Sequence, residues 1–319
     1  MTSTATATPV LPQLGYEFVA NAPDFLGIAL APLFLSTLQS ASYYIFAREN
    51  FLYAAPNAER APGTKPKEIR SKLKDDLFFT KEYALMEPIP REDLAKYANP
   101  ADLKNSVGLN VQRKLLLGHE MRVRDMATSA AVASASPGVK WNDAGSDPVT
   151  DINAARNDVF TSTGLEANLI TLPRNVYEAL KENAAIKSLI KIDSRDSRWP
   201  EMLAALFDVE RVAVGRAVVS GQAEGQELLS VQEIWGDSVM VARAVQEQNL
   251  KAPTFARTFL WAMPKHERDS SIELSNENGV AVCEYEKDEP PGTTIRANQH
   301  TDEHLVAPLL GFHLSDVLL

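Results

Sequence analysis

The chain has one cysteine, Cys283, among 319 residues, so neither an internal disulfide nor a thiolate metal cluster can be built from it. No lysine or arginine precedes Arg48, which removes the basic start of a secretory leader; the expected product stays in the cell that makes it. Long apolar runs are scarce. The stretch from Phe25 to Leu38 falls short of the roughly 20 residues of a membrane-spanning helix and contains Pro32. Positive charge is also in deficit, with a net charge of −10, which speaks against a protein that grips nucleic acid by sequence. No Gly-rich dinucleotide fingerprint, phosphate loop or nucleophile elbow occurs.

What is present is ordinary globular material, 45% apolar and 23% charged, with a length that suggests roughly two domains. The opening 15 residues alternate threonine and alanine and carry two prolines, which predicts an extended arm. Bulky β-formers predict strands over 42–53 and 76–84. Between them lies a polar tip carrying Arg60, Lys65, Lys67, Arg70, Lys72 and Lys74 against Glu68. A hairpin with no apolar layer behind it is marginal in water, so it is expected to lie on a neighbouring copy of the chain. A solvated insertion is the alternative.

Asn99 and Pro100 open a helix, and Leu103, Val107, Leu115, Met121 and Met126 recur at helical spacing to about residue 128, a rod of about 40 Å. After the small-residue linker 130–138 the pattern alternates. Asp147 and Pro148 start a helix with Val149, Ile152, Val159 and Phe160 inward, ending at Gly164. A strand over 167–172, one helix over 173–190, a helix from Pro200 and a strand through Val212, Val214 and Val218 follow, giving an α/β body over 138–254. The short strands after it are expected to return to the long helix. The result is an α+β protein.

Candidate chemistry is thin. His300, Thr301, Asp302, Glu303 and His304 match an H-x-x-E-H zinc pattern, whose chemistry needs two imidazoles one helical turn apart and a carboxylate base. Here the flanks read as strands, which would hold His300 and His304 too far apart for one ion. A polar turn is the expectation, and a zinc-dependent hydrolase using His300, Glu303 and His304 the remote alternative. Cys283 reads as a small buried hydrophobe. Glu284, Glu286, Asp288 and Glu289 read as a solvated run, and Trp141, Trp199, Trp235 and Trp261 as core or interface anchors. No catalytic, cofactor or metal residue is expected.

The segment from Trp141 through Asp147, Pro148, Asp151, Thr163, Gly164 and Asn168 resembles the major capsid proteins of the Hong Kong 97 phage type. Similar, in the same order, are SYYIFARENF, the Arg60-Ala61-Pro62-Gly63 turn, ALFDVERVAVGRAV, IWGDSVMV and LLGFHLSDVL. The resemblance implies an N-terminal arm (1–45), an extended β-hairpin loop (46–85), a peripheral domain with a spine helix (86–137 and 255–319) and an axial α/β domain (138–254). It also implies hexamers and pentamers around packaged double-stranded DNA, in a virion head assembled in the host cytoplasm. Portal, scaffolding and decoration proteins are implied partners, and no membrane is. The chain has no long charged helical N-terminal region, which implies a separate scaffold or none. An encapsulin-like nanocompartment shell is the alternative of the same architecture.

Overall fold

A computed structural model describes residues 25–46, 59–60, 62–65, 68, 73–96, 100–190, 198–221, 230–261, 280–289 and 291–319. In chain order they form helix α1 (Gly27–Leu30), strands β1 (Leu33–Ser36), β2 (Ser40–Phe46), β3 (Leu73–Phe79) and β4 (Lys81–Pro90), then helices α2 (Arg91–Lys96) and α3 (Pro100–Ala127). Next come β5 (Ala133–Ala135), α4 (Pro148–Thr163), β6 (Leu169–Pro173), α5 (Arg174–Glu182), α6 (Ala184–Leu189) and α7 (Trp199–Leu206). The chain continues through β7 (Arg211–Gly215), β8 (Val218–Val219), β9 (Gln232–Glu233), β10 (Val239–Ala242), β11 (Ala256–Trp261), β12 (Ala281–Asp288), β13 (Pro291–Leu305) and β14 (Gly311–Leu314).

β13 organises the first sheet. It pairs with β4 along one edge, and on the other edge with β12 and then β11, all antiparallel; β1 joins β11 in parallel. Alternation puts Ile295 and Ala297 on one face, where they pack with Ile89 and Val282 against Val111, Leu115 and Leu116 of α3. The 28-residue α3 begins at Pro100 as expected and ends at Ala127. Pro88 and Pro90 sit in β4, which pairs only with β13 among the described residues, an edge position where a missing N–H costs nothing.

The second sheet runs β5-β14-β10-β6-β7. Every residue of β6 and β10 is buried, so their unbroken apolar runs fit a sheet covered on both faces. α4 matches its sequence signals: the Asp147 carboxylate accepts from the Val149 and Thr150 amides, Pro148 occupies the first turn, and Gly164 adopts φ 73. Phe160, expected inward, is 47% exposed on the outer side of α4. The single helix expected over 173–190 is two, because Asn183 takes an extended backbone and its side chain caps α6 through the Ala185 and Ile186 amides.

Three connections differ from expectation. β14 pairs with β10 in the second sheet instead of returning to the long helix. Residues 25–36, expected within the arm, are built into the body: Leu26, Leu30 and Ala31 are buried, and β1 extends the first sheet. The hairpin strands, expected over 42–53 and 76–84, are β2 and β3, and residues 81–90 form β4 instead.

Candidate assembly surface

The β2–β3 ribbon has two unlike faces. Register places Ala41 opposite Phe78 and Tyr43 opposite Asp76 on one of them. There Phe78 stacks on Phe259 with centroids 4.2 Å apart, Tyr43 packs on the same ring, and Val306 completes a small cluster. The Tyr43 hydroxyl donates to Asp76 at 3.2 Å, and burial together with that carboxylate pushes the phenol upward. Asp302 accepts from the Phe79 amide at 2.8 Å and meets His304 Nε2 at 2.6 Å. The ribbon therefore has an apolar layer of its own at its root, contrary to the expectation of none, because β11 and β13 present Phe259, Asp302 and His304 to it.

Among the described residues the other face has no such cover. Leu77 and Phe79 are 66% and 55% exposed, opposite Ser42 and Ser40. Of the basic residues expected to make contacts between copies, Arg60, Lys65 and Lys74 are exposed; Arg60 donates to the Thr64 carbonyl at 2.8 Å. Lys67, Arg70 and Lys72 lie outside the described residues.

Behind the ribbon, α3 carries buried polar side chains that joint-making requires and that sequence spacing did not single out. Arg122 forms a forked pair with Glu303 at 3.1 and 3.0 Å and lies 3.6 Å over the Tyr83 ring. His119 Nε2 stands 3.1 Å from Thr258 Oγ1 and 3.6 Å from Glu303, and burial lowers its imidazole to about 4. Glu120, wholly buried, accepts from the Leu26 and Gly27 amides and the Trp235 indole; burial pushes its carboxyl upward. Lys104 meets the buried Glu284 at 2.5 Å, so that member of the acidic run is an internal partner, not a solvated one.

The H-x-x-E-H residues lie inside β13, correcting the expected turn. His300 and His304 share a face about 13 Å apart by strand rise. His300 sits edge-on to Trp261, while Glu303 is taken by Arg122. This geometry does not assemble the hydrolase constellation, and among the described residues no group of three candidate ligands converges. Cys283 is buried in β12, as expected of a small hydrophobe. Trp141, Trp199 and Trp235 are buried anchors.

The residues that carried the family resemblance form the frame of α4. The Trp141 indole donates to Asp151 at 2.8 Å, and its carbonyl accepts from Asn183 at 3.0 Å. Thr163 closes on the Val159 carbonyl at 2.8 Å, and Asn168 exchanges hydrogen bonds with Ala244 of 3.0 and 2.8 Å.

No family model matches the chain. It is 25% identical over 264 residues to the major capsid protein of Burkholderia phage BcepMu, covering 78% of this chain and 82% of that one. A phage-related protein from Bordetella bronchiseptica RB50 superposes over 99% of both chains with a TM-score of 0.71 at 20% identity. The capsid of cyanophage P-SCSP1u superposes with a TM-score of 0.53 at 13% identity, covering 89% of this chain and 86% of that one. The chain therefore shares the Hong Kong 97-type fold of phage capsid structures. The ribbon face bearing Leu77 and Phe79 is an exposed apolar surface lying opposite an anchored one. No described helix is long and apolar enough to cross a membrane.

Proposed function

We propose that many copies of this chain close into hexamers and pentamers of an icosahedral shell around phage double-stranded DNA. The observation that carries the reading is the two-faced ribbon: Tyr43 and Phe78 hold its root on its own subunit, leaving Leu77 and Phe79 turned outward. Burying each of them on a neighbour is worth about 1.5–3 kcal/mol, repeated at every contact of a closed assembly. In this reading β2 and β3 are the root of the extended loop, whose bounds are therefore 40–79 and not the expected 46–85. Residues 25–36 leave the expected arm for the body, α3 is the spine of a peripheral body (86–137 and 255–319, with β14 lent to the second sheet), and 138–254 is the axial body.

Arg60, Lys65, Lys67, Arg70, Lys72 and Lys74 make the loop positive in a chain of net charge −10, so like loops repel each other and acidic neighbour surfaces attract them. Exposed Glu286, Asp288 and Glu289 offer such a surface. The DNA lines the interior without sequence readout, and the acidic balance of the chain suits a container better than a clamp. Portal, scaffolding and decoration proteins complete the head, which assembles in the host cytoplasm. Kinship with a phage major capsid protein favours a genome over an enzyme as cargo, and this role requires no catalytic residue.

Negative-stain microscopy of the expressed chain tests the reading, with uniform hollow particles as the expected image. Substituting Leu77→Ser together with Phe79→Ser, or deleting residues 56–72, is expected to leave a folded subunit that makes none. A wild-type chain that stays monomeric at high concentration, or normal particles from the deletion, sinks the proposal.

A further inference from the structure

Glu120 is a buried carboxylate that has no cationic hydrogen-bond partner among the described residues. Its Oε1 accepts from the Leu26 amide at 2.7 Å and the Trp235 indole N–H at 2.5 Å, while Oε2 accepts from the Gly27 amide at 2.6 Å. These donors come from two segments far from α3 in sequence: the residues opening α1, and the turn between β9 and β10. Nearby, Arg124 donates to the Ile234 carbonyl of the same turn at 3.0 Å. Gly27 has no room for a side chain, since a Cβ would stand 2.6 Å from the Glu120 oxygen. Leu26 fills the space above Gly215 of β7, where a Cβ would meet its Cγ at 2.6 Å.

The same region is already closed by apolar contacts, with Val123 and Ala127 of α3 packed in one cluster with Leu26, Trp235 and the core of the second sheet. Those contacts are non-directional and tolerate sliding of one body over the other. Hydrogen bonds to one carboxylate from three donors do not, because distance and angle are fixed together. Burying such a charge is costly, and an apolar residue in its place would hold the bodies together at least as well. What Glu120 adds is a single orientation. A closed shell needs that orientation in every copy, because interfaces that meet at the wrong angle fail to close and run into open or irregular assemblies.

We propose that the Glu120 carboxylate, gripped by the Leu26 and Gly27 amides and the Trp235 indole, is the joint that fixes α3 against the second sheet and so sets the angle at which neighbouring copies meet. This rests on the shell reading above. Glu120 is a positioning residue, acting through the two segments it holds.

The test compares wild type, Glu120→Gln and Trp235→Phe by circular dichroism, and the diameters of assembled particles by electron microscopy. Trp235→Phe keeps the ring in the core and deletes one donor, so it remains informative should Glu120→Gln fail to fold. The expected result is a native spectrum for Trp235→Phe with loss of the single particle diameter, replaced by mixed sizes and open sheets. Particles from Trp235→Phe as uniform as wild type overturn the joint and leave the shell reading standing. Absence of any particle from wild type removes the shell reading and the angle-setting role with it.

Discussion

α4 and α3 hide their polar groups in opposite ways. Around α4 the partners are near in sequence: Asp147 caps its own first turn, Trp141 reaches Asp151 ten residues on, and Thr163 bonds Val159. Along α3 the partners are remote, with Glu120 to Leu26 spanning 94 positions, Arg122 to Glu303 181 and Lys104 to Glu284 180. Local bonds shape one element, whereas remote ones fix the relation between elements. The first kind tells a helix where to stop, and the second tells two sheets where to stand.

The comparison can be broken hardest at Arg122. Replacing it by alanine leaves the nearly buried Glu303 without its cation, with only the Thr301 hydroxyl donating to it at 3.0 Å among the described residues, and removes the cation from the Tyr83 ring. A loss of about 3–4 kcal/mol in denaturant unfolding is expected, with a double-mutant cycle to Glu303→Gln recovering a large part of it as coupling. An unchanged midpoint in Arg122→Ala would mean that remote pairs on α3 carry no more than surface ones.

Acid probes the same helix. The folded state holds His119 as a neutral imidazole with a pKa of about 4, against 6.5 for the free side chain, with Glu303 raising it and Arg122 lowering it around the dominant burial effect. Its contribution is complete above pH 6.5 and declines as pH falls through 4, because the unfolded chain takes up the proton first. The full difference is about 3 kcal/mol. Burial lowers His300 and His313 in the same direction. Stability measured between pH 7 and 4 is expected to fall, and His119→Gln to flatten the slope; equal slopes in both proteins would discard His119 as the source.

The smallest effect sharpens the contrast from the local side. Asp147→Ala removes the cap of α4 and is expected to cost about 1 kcal/mol, with no change in the coupling between Arg122 and Glu303. A cap loss that altered that coupling would show the two regions to be one cooperative network.

This division explains what the sequence disclosed. The start of α3, both ends of α4 and strand β6 were legible, since caps, Pro and Gly positions and apolar runs are written within a few residues. Asn183 went unnoticed as a break because good helix formers flank it, Leu180, Lys181 and Glu182 before and Ala184 and Ala185 after. The polar stretch from Gln299 to Glu303 looked like a turn, yet it continues β13, where Thr301 and Glu303 face Arg122 of α3. The six basic residues of the loop announced a charged surface but not its partner. Glu120 was invisible, because nothing near it in the chain hints at Leu26 or Trp235.

β13 has a mechanical corollary. It is paired with β4 over ten successive positions from Gly292 to Thr301, while its other edge passes from β12 to β11 between Asn298 and Thr301. Tension along the strand loads that ladder in shear, so many bonds must rupture together, whereas a force peeling β4 away opens them one at a time. The sheet is therefore toughest where a pull runs lengthwise through β13, and it gives way first by stripping at its β4 edge.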